Sequence, residues 1–181
     1  MRGYLALFGC LCGLVSIPAL AELKPGDKAP DFTVEAAVGG KVFTFSLADH
    51  LREGPVVIYF YPKSFTAGCT VEAHEFAEAA ERFTAAGASL IGISADGVET
   101  QKKFSSEECR DKFPVGADPD LKVIRAYDAV FVRLPGLAGV SDRSSYVIDK
   151  SGTIRYAYTD NAPDKHVENT LKAVEALRNT N

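Results

Sequence analysis

A chain of 181 residues with 46% hydrophobic and 24% charged content is long enough for one domain with its own core. Its formal charge of −4 comes with no basic run of five or more residues, which excludes the electrostatic footprint of a nucleic-acid binder. Internal repeats and low-complexity tracts are absent as well.

Residues 1–21 read as a cleaved secretory signal rather than as part of the globule. Arg2 supplies a short positive region, "YLALFGCLCGLVSI" an apolar run, and "ALA" at 19–21 a small-x-small cleavage site. The apolar run is too short, and too soon broken by Pro18, to span a membrane, so no membrane span is expected. A lipoprotein would need a cysteine directly after the run, whereas Cys10 and Cys12 lie inside it. Cleavage after Ala21 leaves residues 22–181 as one mature domain in an oxidising compartment, on this reading the bacterial periplasm. Of four cysteines only Cys69 and Cys109 then remain. A domain of this size can stabilise itself by burial, so the pair is either a structural staple or chemistry.

In chain order, "DFTVEA" and "KVFTFSL" flank Gly39-Gly40, and the whole stretch from Glu22 to Gly54 reads as β-hairpin-like. "PVVIYFYP" (55–62) is a near-continuous apolar run between prolines, the pattern of a strand buried on both faces. Helical periodicity over 70–86 follows, then a second buried strand, "ASLIGIS" (88–94), and a polar helix over 98–112. A short helix is expected over 120–127, a hairpin from "SSYVID" and "TIRYAYT", and a closing helix over 164–178. Strand-helix-strand followed by strand-strand-helix predicts an α/β, thioredoxin-like fold. It has a mixed central sheet flanked by helices and an N-terminal β-hairpin extension.

Within "YFYPKSFTAGCTVEAHEF" (59–76), Cys69 stands where strand gives way to helix. Cys69, Ala73, Phe76, Ala80 and Phe83 form one apolar stripe at steps of three and four. Thr66, three residues earlier, is a candidate N-cap. A cysteine in a helix's first turn has an uncommitted amide and feels the positive end of the dipole, which favours the nucleophilic thiolate. Gly68 would let the backbone approach a small ligand closely.

Other thiol chemistries fit poorly. The helix begins Cys69-Thr-Val-Glu72, so the Cys-x-x-Cys of a disulfide oxidoreductase is missing. His74 points about 140° away from Cys69 around the helix, and His50 and His166 are expected at the surface, which leaves a cysteine protease without its base. Two cysteines forty residues apart with scattered histidines match no metal spacing, so no metal and no other cofactor are expected.

The segment resembles the P-x-x-x-T-x-x-C site of peroxiredoxins, above all the peroxiredoxin Q, or bacterioferritin-comigratory-protein, subfamily. The likeness extends through "KPGDKAPDFTV", "LIGISAD", "KFPVGADPDLKVIRAYD" and "DRSSYVIDKSGTIRYAY". It implies a thiol-dependent peroxidase that reduces hydrogen peroxide and organic hydroperoxides in antioxidant defence. On the matching positions, Cys69 is the peroxidatic cysteine, oxidised to sulfenic acid. The Thr66 hydroxyl and the Cys69 amide bind peroxide oxygen, Pro62 shields the pocket, and Arg143 supports the thiolate, with Arg133 and Arg125 as alternatives. Ala67 stands where the subfamily usually has proline, and His74 where many members carry a second cysteine.

Cys109, on the next helix in "FSSEECRDKF", is the candidate resolving residue. Its charged neighbours suggest an accessible thiol on a segment, 104–112, with little apolar area to lose on opening. A one-Cys enzyme resolved by an external thiol, and a non-catalytic protein with a structural Cys69–Cys109 bond, remain as alternatives. The resemblance also implies a thioredoxin-like or low-molecular-weight thiol reductant and a monomer.

Overall fold

The computed structural model describes residues 23–131 and 139–178. The predicted leader, residues 1–21, lies outside the described residues, and so does Arg133. Seven strands form one mixed sheet: β1 (Thr33–Val38), β2 (Lys41–Ser46), β3 (Val56–Phe60), β4 (Ser89–Ser94), β5 (Val115–Ala117), β6 (Ser144–Ile148) and β7 (Ile154–Thr159). Their order is β2-β1-β5-β4-β3-β6-β7, with β3, β4 and β5 parallel at the centre and the flanking pairs antiparallel. Among the described residues four α-helices connect them and a fifth closes the chain after β7: α1 (Leu47–Glu53), α2 (Ala67–Ala85), α3 (Val98–Glu107), α4 (Lys122–Ala126) and α5 (His166–Arg178).

The thioredoxin-like α/β expectation holds, with three differences besides the short strand β5, which no run in the sequence marked. The hairpin is more than an appendage, because β1 pairs antiparallel with β5 and so extends the central sheet. Its turn is the predicted Gly39-Gly40, both left-handed at φ 55° and 70°, the geometry a tight two-residue hairpin requires. A helix, α1, occupies the end of the stretch that reads as hairpin-like; at seven residues it is too short to show a period, and Ser46 caps it by accepting from the Asp49 amide. The third difference is α3, which stops at Glu107 instead of reaching 112, because Arg110 and Asp111 turn left-handed.

Alternation along β3 sends its side chains into two cores. Val57, Tyr59 and Tyr61 face α2, α3 and α5, where Ala73, Phe76, Phe104 and Leu171 are buried against them. Val56, Ile58 and Phe60 face the other side, with Leu47 of α1 and Val123 and Ile124 of α4. Every residue of β3 is buried, as the apolar run predicts. Tyr59 stacks on Phe76 at 4.3 Å between ring centroids, which ties α2 to the sheet.

That stacking depends on the neighbouring strand. Gly92 is the register partner of Tyr59, and a Cβ there would come within 2.6 Å of the tyrosine ring. Gly92→Ala should therefore destabilise the fold by about 1–3 kcal/mol through overpacking. Urea denaturation would show a lower midpoint at unchanged slope; an unchanged midpoint would mean that the ring moves aside freely.

Candidate active site

Three segments converge at the start of α2. The first runs from the end of β3 through half-buried Pro62, which cannot donate to the sheet and ends the strand, to Thr66. It is pinned from below. The Ser64 amide donates to the Asp96 carboxylate at 2.7 Å, and the Tyr61 hydroxyl donates to Gln101 Oε1 at 2.7 Å. Gln101 in turn donates to Ser94 Oγ and to the Gly116 carbonyl, so the loop is referenced to β4 and β5. Phe65, left-handed at φ 63°, lays its ring edge-on against Phe104.

Thr66 occupies the N-cap position of α2, but its side chain does not cap. The hydroxyl donates back to the Lys63 carbonyl at 2.9 Å. The first main-chain bond of the helix runs from the Thr70 amide to the Thr66 carbonyl, so the amides of Ala67, Gly68 and Cys69 precede the helical ladder. Cys69 is buried, and the apolar stripe through Ala73, Phe76, Ala80 and Phe83 is buried with it, as its spacing predicts.

The second segment delivers Arg143, immediately before β6. Ser141 Oγ donates to the Tyr61 carbonyl at 2.6 Å and so fastens this segment to the end of β3. Arg143 is 5% exposed. Its Nη2 lies 3.6 Å from Cys69 Sγ, its Nη1 is bonded to Glu72 Oε2, and its Nε donates to the Asn161 carbonyl. Arg125, by contrast, is exposed and donates to the Asp120 carbonyl. The group that approaches Gly68 closely is part of the protein: a Cβ there would sit 3.2 Å from Arg143 Nη2.

Glu72 went unnoticed in the sequence. It is one helical turn from Cys69 and fully buried on the stripe that faces the core. A carboxylate at an apolar position was the available signal. Burial outweighs the lowering influence of Arg143 and raises its pKa from 4.5 to about 8. The third segment, after β7, brings His166, which was expected at the surface and is fully buried. The 3-10 turn Pro163–Lys165 swings the start of α5 inward, so that the imidazole bonds Ser145 Oγ at 2.7 Å and the Asp160 carbonyl at 2.9 Å. His50 is half-buried too, stacked on Phe45, while His74 faces Glu108 at 2.7 Å instead of Cys69.

Cys109 also departs from expectation. It is fully buried, and burial first, then the neighbouring Glu108, pushes its thiol pKa well up. The left-handed Arg110 and Asp111 carry their charges outward while the chain between Phe104 and Phe113 turns Cys109 into the core. Sequence neighbours reported the polarity of the turn, not of the cysteine. Both thiols are free.

A thioredoxin-type sheet that presents one buried cysteine at a helix start, beside a buried arginine, defines a thiol-based redox protein. The AhpC/TSA family profile matches residues 25–157, and the chain belongs to that family. "Peroxiredoxin Q, chloroplastic" of Sedum lineare is 35% identical over 162 residues, 87% of this chain and 81% of that protein. Among solved structures, the peroxidoxin BcpB of Mycobacterium tuberculosis superposes with a TM-score of 0.77 at 31% identity, covering 86% of this chain and 99% of that one. Peroxiredoxin Q of Xanthomonas campestris gives 0.71 at 27% identity, over 80% and 91% of the two chains. The protein is a peroxiredoxin, a thiol-dependent peroxidase.

The raised Glu72 pKa has a consequence for stability. The folded state holds a proton that the unfolded state releases above pH 4.5, so this contribution is complete below about 4.5 and is lost as pH rises through about 8. Wild-type stability should therefore fall across that window relative to Glu72→Gln, as denaturant unfolding at several pH values would show. A gap between the two proteins that does not change with pH would place an ionised Glu72 in the fold throughout.

Proposed function

We propose that Cys69 is the peroxidatic nucleophile, and the observation that carries this is the guanidinium 3.6 Å from its buried sulfur at a helix start. The Cys69 thiolate attacks the distal oxygen of a hydroperoxide. An S–O bond forms, the O–O bond breaks, and the departing alkoxide or hydroxide takes up a proton. The reaction leaves sulfenic acid on Cys69 and releases alcohol or water. Arg143 and the free amides at the start of α2 stabilise the developing negative charge as preorganised donors. Because the Thr66 hydroxyl gives its own hydrogen to Lys63, its lone pairs remain to accept from the peroxide O–H. Pro62, half-buried over this loop, limits solvation of the pocket.

Cys109 resolves the sulfenic acid in this proposal: its sulfur attacks Cys69 Sγ, a disulfide forms and water leaves. A thiol reductant, thioredoxin-like or of low molecular weight, returns the two electrons. The leader at 1–21 would route the enzyme to an oxidising compartment, the periplasm, where it works as a monomer. Burial of Cys109 favours a second reading, in which the external thiol attacks Cys69 directly.

Both thiols are free and buried on separate segments, and we infer that resolution moves one segment to bring the Cα atoms to the roughly 4.4–6.8 Å that a disulfide needs. The segment that opens is shorter than 104–112, because Phe104 and Phe113 are buried and anchor its ends. Between them, residues 108–112 are held to the outer face of α2 by His74–Glu108, Arg110–Glu78 and Lys112–Glu81. Pairs this exposed contribute little each, and salt screens them.

Peroxide consumption by single variants tests the assignment. Cys69→Ser should abolish turnover, and Thr66→Val should cost far more rate than Thr66→Ser; equal rates for Val and Ser would reduce Thr66 to a packing residue. With wild-type protein, peroxide should remove both thiols, yield a Cys69–Cys109 peptide and lower hydrogen-exchange protection at 108–112. The disulfide step should accelerate with added salt. A free Cys109 with unchanged protection would establish the external-thiol route.

A further inference from the structure

The buried charges around Cys69 do not balance. With the thiolate formed and Glu72 ionised, two negative charges would face the single positive charge of Arg143, all three groups being nine-tenths or more buried. Excess charge in such surroundings is strongly disfavoured, and the usual relief is uptake of a proton. The structure offers a place for it. Arg143 binds only one oxygen of Glu72; the other, Oε1, is buried without a hydrogen-bond partner and lies 4.0 Å from His166 Nδ1.

His166 can receive that proton because of what holds it. Its Nε2 faces the Asp160 carbonyl, which only accepts, so the neutral ring carries its hydrogen there and leaves Nδ1 as an acceptor for the Ser145 hydroxyl. A second proton would sit on Nδ1 or on Glu72 Oε1, between the two groups. The surroundings are otherwise spare. Tyr158 of β7 packs edge-on with ring centroids 4.8 Å apart, Asp160 adds a negative charge beyond its carbonyl, and Arg143 opposes protonation from the β6 side. On α5 itself, Thr170 bonds the His166 carbonyl, not the ring, and Lys165 of the preceding 3-10 turn pairs with Glu168 in solvent. Burial lowers the pKa of His166 and raises that of Glu72, so the proton rests on Glu72 Oε1, and the acceptor Nδ1 of His166, 4.0 Å away, is the group that faces it. The turn after β7 also links the two ends of the array, giving Asn161 O to Arg143 and Asp160 O to His166.

We propose that His166 is a positioning residue of the peroxidase site, holding with the free oxygen of Glu72 one proton that releases the charge of Arg143 toward Cys69. With the proton in place the Glu72–His166 pair is neutral overall, and the guanidinium serves the sulfur alone. Without it, the carboxylate competes for the same cation. The proton stays on the pair during the attack; peroxide oxygen is reduced and sulfur oxidised as in the proposed reaction, on which this inference rests.

A double-mutant cycle tests it. His166→Gln keeps a donor for the Asp160 carbonyl and an acceptor for Ser145, but cannot take a proton. The rate of sulfenic-acid formation on Cys69 at neutral pH should fall about tenfold, the equivalent of about two pH units of proton affinity lost from a starting value of about 8. In a Glu72→Gln background, where no carboxylate competes, the same change should have almost no effect. A loss of equal size in both backgrounds would make His166 a structural peg and overturn the proposal. Should His166→Gln fail to fold, nitrogen NMR of the imidazole in reduced wild-type and Cys69→Ser proteins decides. Replacing the thiolate should move proton release by the pair to lower pH, and coincident titrations would refute the coupling. Retained peroxide turnover in Cys69→Ser is a separate result, which would sink the peroxidatic assignment instead.

Discussion

One guanidinium, that of Arg143, ties the candidate site together. It reaches a sulfur, a carboxylate and a main-chain carbonyl at once, and it does so almost entirely out of water. A buried cation of this kind is costly to desolvate and tolerable only when its donors are matched, so the protein must hold all three acceptors in fixed relation. Arginine suits the task where lysine does not, because its planar fork offers separate donors in fixed directions.

The fold meets that demand by bringing three chain segments to the carboxyl end of β3. The strand and helix of the first segment fix Cys69 and Glu72 one turn apart, so both lie on the same face of α2. Ser141 sews the second segment to the end of β3, and antiparallel pairing of β3 with β6 sets the register in which Arg143 emerges. Gly68 leaves the space into which the guanidinium advances. The third segment closes the array with His166 and two carbonyls. Cys109 belongs to a different mechanical unit, held by exposed ion pairs outside and by its own burial inside. The site proposed to attack peroxide is thus held by buried bonds, and the residue proposed to follow it lies on a turn fastened outside by exposed ion pairs.

What the sequence made legible was local. Apolar runs marked β3 and β4, paired glycines marked the hairpin turn, and the three-and-four spacing placed Cys69 at the head of a buried stripe. The motif around it carried the family. What stayed hidden depended on partners distant in sequence. Glu72 is buried because Arg143 arrives from 71 residues away, and His166 because a 3-10 turn redirects α5. Charges beside Cys109 suggested exposure, yet two left-handed residues point those charges one way and the thiol the other. Thr66 has the right residue type for a cap, but its hydroxyl finds a carbonyl first. Strand β5 and helix α1 are too short for any period to show.

The central claim is that the direction of the Arg143 fork, and not merely its positive charge, activates Cys69. Rapid-mixing measurement of Cys69 sulfenic-acid formation in Arg143→Lys tests it most directly, because lysine keeps the charge and loses the separate donors. The account predicts a rate at least about a hundredfold below wild type, the order of loss seen when one preorganised donor is removed from an active site, with the fold retained. A lysine variant that reacts with peroxide as fast as the wild-type protein would contradict it.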